Sequence, residues 1–261
     1  MKRLRVTFIG SGNVAWHLAP ALENAGIPVK ELYSPNIKNA EKLAEHLYDV
    51  TVKENLDFKD SEQKLFIIAV SDDAIEKVVR ELVLPEGSIL LHTSGTQPMQ
   101  VLEQAQAGSI GVLYPLQTFS KDRKMSFEAI PFCLEASDQD TLETIRNIAG
   151  SLTSRVHILD SVERKKIHVA AVIACNFTNH LLSISKDFLE GEDLDFEILK
   201  PLVSETLSKA LQEEPDAVQT GPARRNDLKT IEQHVSMLQQ HSTWKQLYEI
   251  ISNDIIKKYK E

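Results

Sequence analysis

Val6-Thr7-Phe8-Ile9-Gly10-Ser11-Gly12-Asn13-Val14-Ala15 is an apolar, β-branched run that opens directly into G-x-G-x-x-A. The bare glycine spacing is a weak signal, because an ordinary glycine-rich turn has the same letters. Its flanks decide the reading: a short strand before it and an amphipathic helix after it are the setting in which this spacing cradles a dinucleotide. Gly10 permits the tight turn, Gly12 lets the backbone come close to a pyrophosphate, and Ala15 is small enough for the helix to pack on the strand. Gly10, Ser11, Gly12, Asn13 and Val14 are therefore the predicted phosphate-binding residues. They stand at a helix N-terminus, where free N–H groups and the macrodipole favour negative charge.

Outward from this stretch, the first part of the chain alternates strands and helices. Strands are predicted at 4–9, 29–33, 65–69, 88–92, 109–113, 132–135 and 156–159, and helices at 14–25, 39–46, 74–81, 99–104 and 141–150. Apolar strands bounded by Gly, Pro or Asp and separated by 3.6-period segments indicate βαβ units around a parallel sheet. Right-handed crossovers then give an α/β fold with a doubly wound, mostly parallel sheet and a ligand crevice at the strands' carboxyl ends. From about Val162 strand signals vanish, and helices are predicted at 162–189, 197–213, 226–239 and 243–258. The expected organisation is a dinucleotide-binding domain over 1–160 and an all-helical substrate and dimerisation domain over 161–261.

Composition narrows the function classes. The 261 residues are 42% hydrophobic and 26% charged, as expected of a globular protein with a real core. A net charge of −9 argues against nucleic acid as a general partner. No unbroken apolar run approaches the ~20 residues of a membrane span, so no membrane is expected. The basic tip Met1–Arg5 runs straight into the first strand with no h-region, unlike a signal peptide. Cys133 and Cys175 are far apart and read as buried thiols of a reducing compartment. A cytoplasmic enzyme is the expectation. The eight histidines show neither HxxxH nor CxxC-type grouping, so no metal is expected.

In the first half, the second strand ends Glu31-Leu32-Tyr33-Ser34-Pro35-Asn36-Ile37-Lys38. An NAD-binding chain normally carries an acidic residue at that tip to accept the ribose 2′-hydroxyl. Here Glu31 comes too early and the tip is neutral, with Lys38 nearby, which favours NADP over NAD. Ser34, Asn36 and Lys38 are its predicted contacts, although Asn36 also reads as a plain helix cap. The third predicted strand, 65–69, exits at the crevice through Val70 and Ser71, which are expected to meet the cofactor, into Asp72-Asp73, one of which is expected to cap the next helix. The next strand exits through Thr93 and Ser94, whose hydroxyls are expected to touch nicotinamide or substrate. Tyr114 and Gln117, on the Pro-fixed turn of Leu113-Tyr114-Pro115-Leu116-Gln117-Thr118-Phe119, are substrate candidates.

In the helical half, His168, Val172, Asn176 and Asn179 fall on one stripe at spacings of 4, 4 and 3. The surrounding Ala, Val and Ile imply burial, and buried polar groups must be paired or used. They are either satisfied core residues or a substrate site in which His168 is the proton donor and Asn176 orients the acceptor, with Asn179 beside it. The segment Gln219-Thr220-Gly221-Pro222-Ala223-Arg224-Arg225-Asn226-Asp227 reads as a loop closing on a helix N-terminus. Arg224 and Arg225 offer bidentate donors for a carboxylate or phosphate, or one of them pairs with Asp227 and merely pins the loop.

The residues 10–15, 33–36, 69–73 and 92–96 together resemble the NADP-binding domain of the group holding F420-dependent NADP oxidoreductases, pyrroline-5-carboxylate reductases and 6-phosphogluconate-type dehydrogenases. The segments 114–119, 168–180 and 219–227 narrow the resemblance to proteins with a Rossmann-like domain followed by DUF2520, over essentially the whole chain. One branch of similar architecture is an alternative ketopantoate reductase. The resemblance implies that the 219–227 loop meets the cleft and that the chain forms a homodimer through its helical domain. Related β-hydroxyacid dehydrogenases use a Lys with an Asn one turn later on the equivalent helix; Lys165 is the candidate here, although its spacing to Asn176 departs from that pattern. Together these readings imply NADP-dependent reduction of a small keto or imino acid, of the ketopantoate reductase kind. A non-catalytic NADP-binding sensor or scaffold is the reading from another class, and nothing in the sequence excludes a deazaflavin partner.

Overall fold

The structure is a computed structural model in which residues 4–260 are described. Two compact units are distinguished, one running to Val172 and one from Ile173 onward. The first is an α/β unit. Its strands are β1 (Val6–Ile9), β2 (Val29–Tyr33), β3 (Thr51–Lys53), β4 (Leu65–Ile68), β5 (Ile89–His92), β6 (Ser109–Pro115), β7 (Phe132–Ala136) and β8 (Val156–Ile158). They form one sheet in the order β3-β2-β1-β4-β5-β6-β7-β8. All pairings are parallel except β6 with β7. The helices are α1 (Asn13–Asn24), α2 (Ile37–Ala44), α3 (Asp72–Glu81), α4 (Gln139–Gly150) and α5 (Ser161–Ala171), with a 3-10 helix at Met99–Ala105. This is the doubly wound, mostly parallel sheet expected from the sequence.

Both faces of the sheet are covered, which is why its strands read as unbroken apolar runs. Phe8, Ile67, Leu91 and Leu113 point to one side, where Leu18 of α1, Leu43 of α2 and Ile145 of α4 pack on them. Ile9, Phe66, Ile68, Leu90 and Val112 point to the other, against Ile75 and Val79 of α3 and Leu102. Every residue of β1 and β4 is buried. At roughly 1.5–3 kcal/mol for each large apolar side chain removed from water, these central strands anchor the unit. The register aligns Ile9 with Tyr33 and Ile68, Ile68 with His92, and His92 with Val112. Tyr114 therefore stands two residues beyond this row, at the carboxyl edge.

The strand β3 has no counterpart in the sequence reading; three residues, Thr51-Val52-Lys53, form a half-exposed edge too short to show a period. The segment 99–104 is a 3-10 helix rather than an α-helix. Ser71, not Asp72 or Asp73, takes the cap position of α3.

The second unit is helical: α6 (Thr178–Glu190), a 3-10 turn at Phe196–Leu199, α7 (Lys200–Gln212), α8 (Leu228–Met237) and α9 (Ser242–Tyr259). Two expectations fail in the helical stretch Ser161–Glu190. It is not one uninterrupted α-helix, because Val172–Phe177 is π-helical. Its i→i+5 bonds break the 3.6 period, so the stripe counted at spacings of 4, 4 and 3 does not run through it. Nor is it buried: Asn176, Asn179 and Cys175 are all exposed, while Cys133 is buried as expected. By length and composition this stretch is also apolar enough to cross a membrane, although no unbroken apolar run in it is long. Among the described residues from Ile173 onward only Ala223 and Ser252 are buried, so the chain itself does not cover the apolar side chains of these helices.

Candidate active site

The glycine loop is built as its chemistry demands. Gly10 has φ +113°, and a Cβ on it would lie 2.4 Å from the Ala69 carbonyl oxygen. The turn is locked by Gly10 N–H donating to Tyr33 O at 2.7 Å, with Ala69 N–H donating to Ile9 O at 2.8 Å. Gly12 takes the cap position of α1 without any side-chain cap, so the first N–H groups of that helix face outward for a ligand. Ser11 Oγ donates to Ser34 Oγ at 2.8 Å, tying the glycine loop to the tip of β2. Asn13 contributes backbone only, since its side-chain amide donates to Phe119 O at 3.0 Å.

The charge pattern at the β2 tip fits a 2′-phosphate. The Glu31 carboxylate faces Thr7 two residues before the strand end, where it accepts from Thr7 Oγ1 at 2.8 Å and Ser61 Oγ at 2.6 Å. It is spent inside the sheet and does not meet a ribose. Asn36 takes the cap position of α2 with no cap bond from its side chain, and Lys38 is exposed beside it. A phosphate would find uncommitted donors there and no carboxylate to repel it.

The next two exits differ from expectation in how their hydroxyls are used. Ser71 makes no cap bond, and Val70 packs against the core beside it. Thr93 Oγ1 points back to Ile68 O at 3.4 Å. Ser94 Oγ accepts from Thr96 N–H at 3.1 Å and Gln97 N–H at 3.0 Å, so it shapes the loop. The Thr96 hydroxyl donates to Asp72, joining that loop to α3.

Beyond this edge the structure brings together two predicted residues that are far apart in sequence. Tyr114 Oη and His168 Nδ1 are 3.2 Å apart, half-buried, with ring centroids at 6.3 Å. Between them lies Gly95, where a Cβ would sit 2.7 Å from both His168 Nδ1 and the Tyr114 ring. Only glycine lets the loop, the strand and the helix meet so closely. Burial, more than the neighbouring Cys133 and Asp72, pushes the Tyr114 phenol up to about 12. It is therefore a neutral donor throughout the ordinary pH range. Gln117 is exposed, and its side-chain oxygen accepts from Thr118 N–H at 2.8 Å.

Arg164, one helical turn before His168, was hidden in the charged run Glu163-Arg164-Lys165-Lys166. It is fully buried, paired with Glu135 of β7, and donates to Gln97 O at 2.6 Å and Ser161 Oγ at 3.2 Å. Ser161 Oγ in turn donates to Glu135 at 2.8 Å and accepts from Met99 N–H at 3.1 Å. A capping box formed by Asp160 and Glu163 starts α5 in this register. Lys165 is exposed and makes no ion pair among the described residues.

His92, at the end of β5, was not singled out in the sequence. Its Nδ1 accepts from Ser94 N–H at 3.1 Å, while Nε2 is buried with no hydrogen-bond partner among the described residues. Burial first, and then the Arg164 charge, holds its pKa down at about 3. The ring is thus neutral when folded, whereas the unfolded chain takes up a proton below about pH 6.5. Stability is unaffected above that pH and falls by about 1.4 kcal/mol per unit as the pH drops from 6.5 toward 3. Urea unfolding of the wild type and His92→Asn at pH 7 and pH 5 measures this; the acid-dependent loss is expected to shrink in the variant.

In the second unit, Asp227 caps α8, accepting from Thr230 N–H at 3.1 Å, and forms no ion pair with either arginine. Arg224 and Arg225 are exposed, and the Arg224 guanidinium lies 4.4 Å over the Tyr259 ring. An apolar cavity of about 560 Å³ is lined by Leu181, Phe188, Trp244, Leu247 and Ile255. At its wall His234 Nδ1 and Tyr248 Oη are 2.7 Å apart.

Residues 5–94 match the family described as NADP oxidoreductase, coenzyme F420-dependent, and residues 130–255 match DUF2520, a domain of unknown function. A Bacteroides fragilis protein whose crystal structure is described as an NADP oxidoreductase is 36% identical, with 97% of this chain and 98% of that one aligned at a TM-score of 0.89. The chain belongs to this NADP oxidoreductase family. Two more distant structures share the fold. The Aspergillus terreus reductive aminase, solved with NADPH and ethyl-5-oxohexanoate, is 14% identical over 97% of this chain and 95% of its own, at a TM-score of 0.70. The Myxococcus stipitatus imine reductase, solved with NADP+, is 14% identical over 97% and 93%, at 0.62. No curated relative matches by sequence. NADP is the dinucleotide of the family, in keeping with the neutral, carboxylate-free tip of β2.

Proposed function

We propose that this NADP oxidoreductase reduces the carbonyl or imine group of a small keto or imino acid. The observation that carries the reading is the Tyr114–His168 hydrogen bond at the carboxyl edge of the sheet, the edge that also carries the glycine loop. When bound, NADPH supplies the hydride; the chain must then hold the acceptor and deliver a proton to its heteroatom. His168 is the proposed source of that proton, preferred over Lys165 because only His168 is joined to a second donor. The loop from Gly10 to Val14 would hold the pyrophosphate, and Ser34, Asn36 and Lys38 the 2′-phosphate. Asn176, with Asn179 beside it, is the proposed residue that orients the acceptor's carbonyl or carboxylate, and Arg224 and Arg225 are the proposed donors to its anionic group. A keto or imino acceptor is in keeping with the ketone ester in the Aspergillus complex.

Steady-state NADPH oxidation against a panel of 2-keto acids (ketopantoate included) and cyclic imino acids tests the reading. Turnover of at least one member is expected, with His168→Ala lowering kcat about 10-fold. Tight NADPH binding with no turnover of any member would make the protein a sensor rather than an enzyme.

The helical unit is proposed to form a homodimer. A unit with Ala223 and Ser252 as its buried residues has no core of its own, while Phe177, Leu202, Leu211, Met237 and Ile250 are exposed on four of its helical segments. Soluble monomers rarely leave so much apolar surface uncovered, and a stable partner interface needs about 800 Å² per side. Light scattering is expected to give twice the chain mass for the wild type and a monomer for Leu211→Asp/Met237→Asp. A monomeric wild type would contradict the proposal.

A further inference from the structure

We propose that Tyr114 is the catalytic residue that hands the proton to the substrate, with His168 standing behind it as the proton source. This rests on the reductase reading above. Three observations order the pair this way. Tyr114 belongs to β6, two residues past the row in which β1, β2, β4 and β5 end, so the sheet itself carries its ring to the crevice edge. His168 belongs to α5, outside the sheet, and its Nδ1 is enclosed between the Tyr114 hydroxyl and Gly95. Nδ1 therefore faces the phenol. Side chains fixed by strands hold a reacting geometry more tightly than those on loops.

The step balances as follows. As the acceptor carbon gains its hydride, the π bond to oxygen or nitrogen breaks and that atom takes the Tyr114 Oη proton. The phenolate then takes the proton from Nδ1 of the His168 imidazolium, leaving a neutral ring that reloads from water. Arg164 and Glu135 are positioning residues for this pair. Their ion pair fixes α5 to β7, and the bond from Arg164 to Gln97 O fixes the loop that carries Gly95. The ionisable groups that act on the phenol are His168 and Arg164 from α5, Cys133 from β7 and Asp72 from α3. The buried phenol stays protonated across the ordinary pH range.

The test compares wild type, Tyr114→Phe and His168→Gln by three readouts: NADPH affinity, kcat and KM against pH, and NMR titration of the His168 ring in the cofactor-free protein. Tyr114→Phe is expected to lower kcat at least 100-fold, with KM and NADPH affinity within about 3-fold and the His168 Nδ1 proton exchanging faster. His168→Gln is expected to lower kcat only about 10-fold, because water then reloads the phenol slowly. The reverse order, with Tyr114→Phe retaining kcat and His168→Gln abolishing it, overturns the proposal by placing His168 against the substrate. If no panel member is turned over, the reductase reading fails by itself. The pairing is then judged by NMR alone, and an Nδ1 resonance unchanged by Tyr114→Phe overturns it.

Discussion

Gly10→Ala is expected to raise the NADPH dissociation constant at least 100-fold, about 2.7 kcal/mol, and to destabilise the first unit at the same time. Two independent obstacles meet at this residue. Its φ of +113° lies in a region that L side chains rarely adopt, and the added Cβ would be 2.4 Å from the Ala69 carbonyl oxygen. Neither neighbour can give way, because that oxygen belongs to the backbone directly after β4 and Ala69 N–H is bonded to Ile9 O at 2.8 Å. The turn must open, carrying the N-terminus of α1 away from the edge. Gly12→Ala makes the contrast. A Cβ there meets only the Ala69 oxygen at 3.6 Å, an ordinary contact. That variant is expected to fold like the wild type, with a melting temperature within about 2 °C, yet to lose NADPH affinity because the methyl group stands where a pyrophosphate approaches. Calorimetric titration with NADPH, paired with thermal melting, separates the two effects.

Arg164→Met is expected to cost about 3–5 kcal/mol of stability. The arginine is a fully buried cation whose partner Glu135 is itself largely buried, so removing one charge leaves the other without compensation. The double variant Arg164→Met/Glu135→Leu is expected to recover most of the loss, since a well-packed apolar pair often equals a buried ion pair. Stability and positioning then come apart. The double variant also lacks the bond to Gln97 O that holds the Gly95 loop. It is expected to refold in urea experiments but to lose kcat while keeping NADPH affinity. Full recovery of both stability and kcat would mean that the ion pair only packs α5 onto the sheet.

The sheet was legible because most of its strands are buried on both faces and so appear as short, unbroken apolar runs between turn residues. The edge strand β3 was not, since Thr51-Val52-Lys53 is too short and too exposed to carry a pattern. The glycine loop and the neutral β2 tip were readable because each position answers a local backbone or charge requirement. Arg164 was not readable: within four charged residues on one helical turn, the sequence cannot mark which one the tertiary structure encloses. Tyr114 and His168 were each recognisable, but their contact depends on where β6 ends relative to α5, across a separation of 54 positions. The expectation of burial for the helix around Asn176 failed for another reason. Ala, Val and Ile look the same in a sequence whether the chain buries them or leaves them exposed. The π-helical stretch at Val172–Phe177 lies below what a count of 3.6-residue turns can detect.

The central claim, that the Tyr114–His168 edge serves hydride transfer from NADPH to a small keto or imino acid, has a direct measurement. Wild-type protein is incubated with NADPH carrying deuterium on the transferable C4 position and each acid of the panel in turn, and the products are analysed by mass spectrometry. The account predicts one deuterium on the former carbonyl or imine carbon of at least one product, and its loss on replacing Tyr114 with Phe. NADPH bound tightly with no label leaving it for any acceptor would contradict the account.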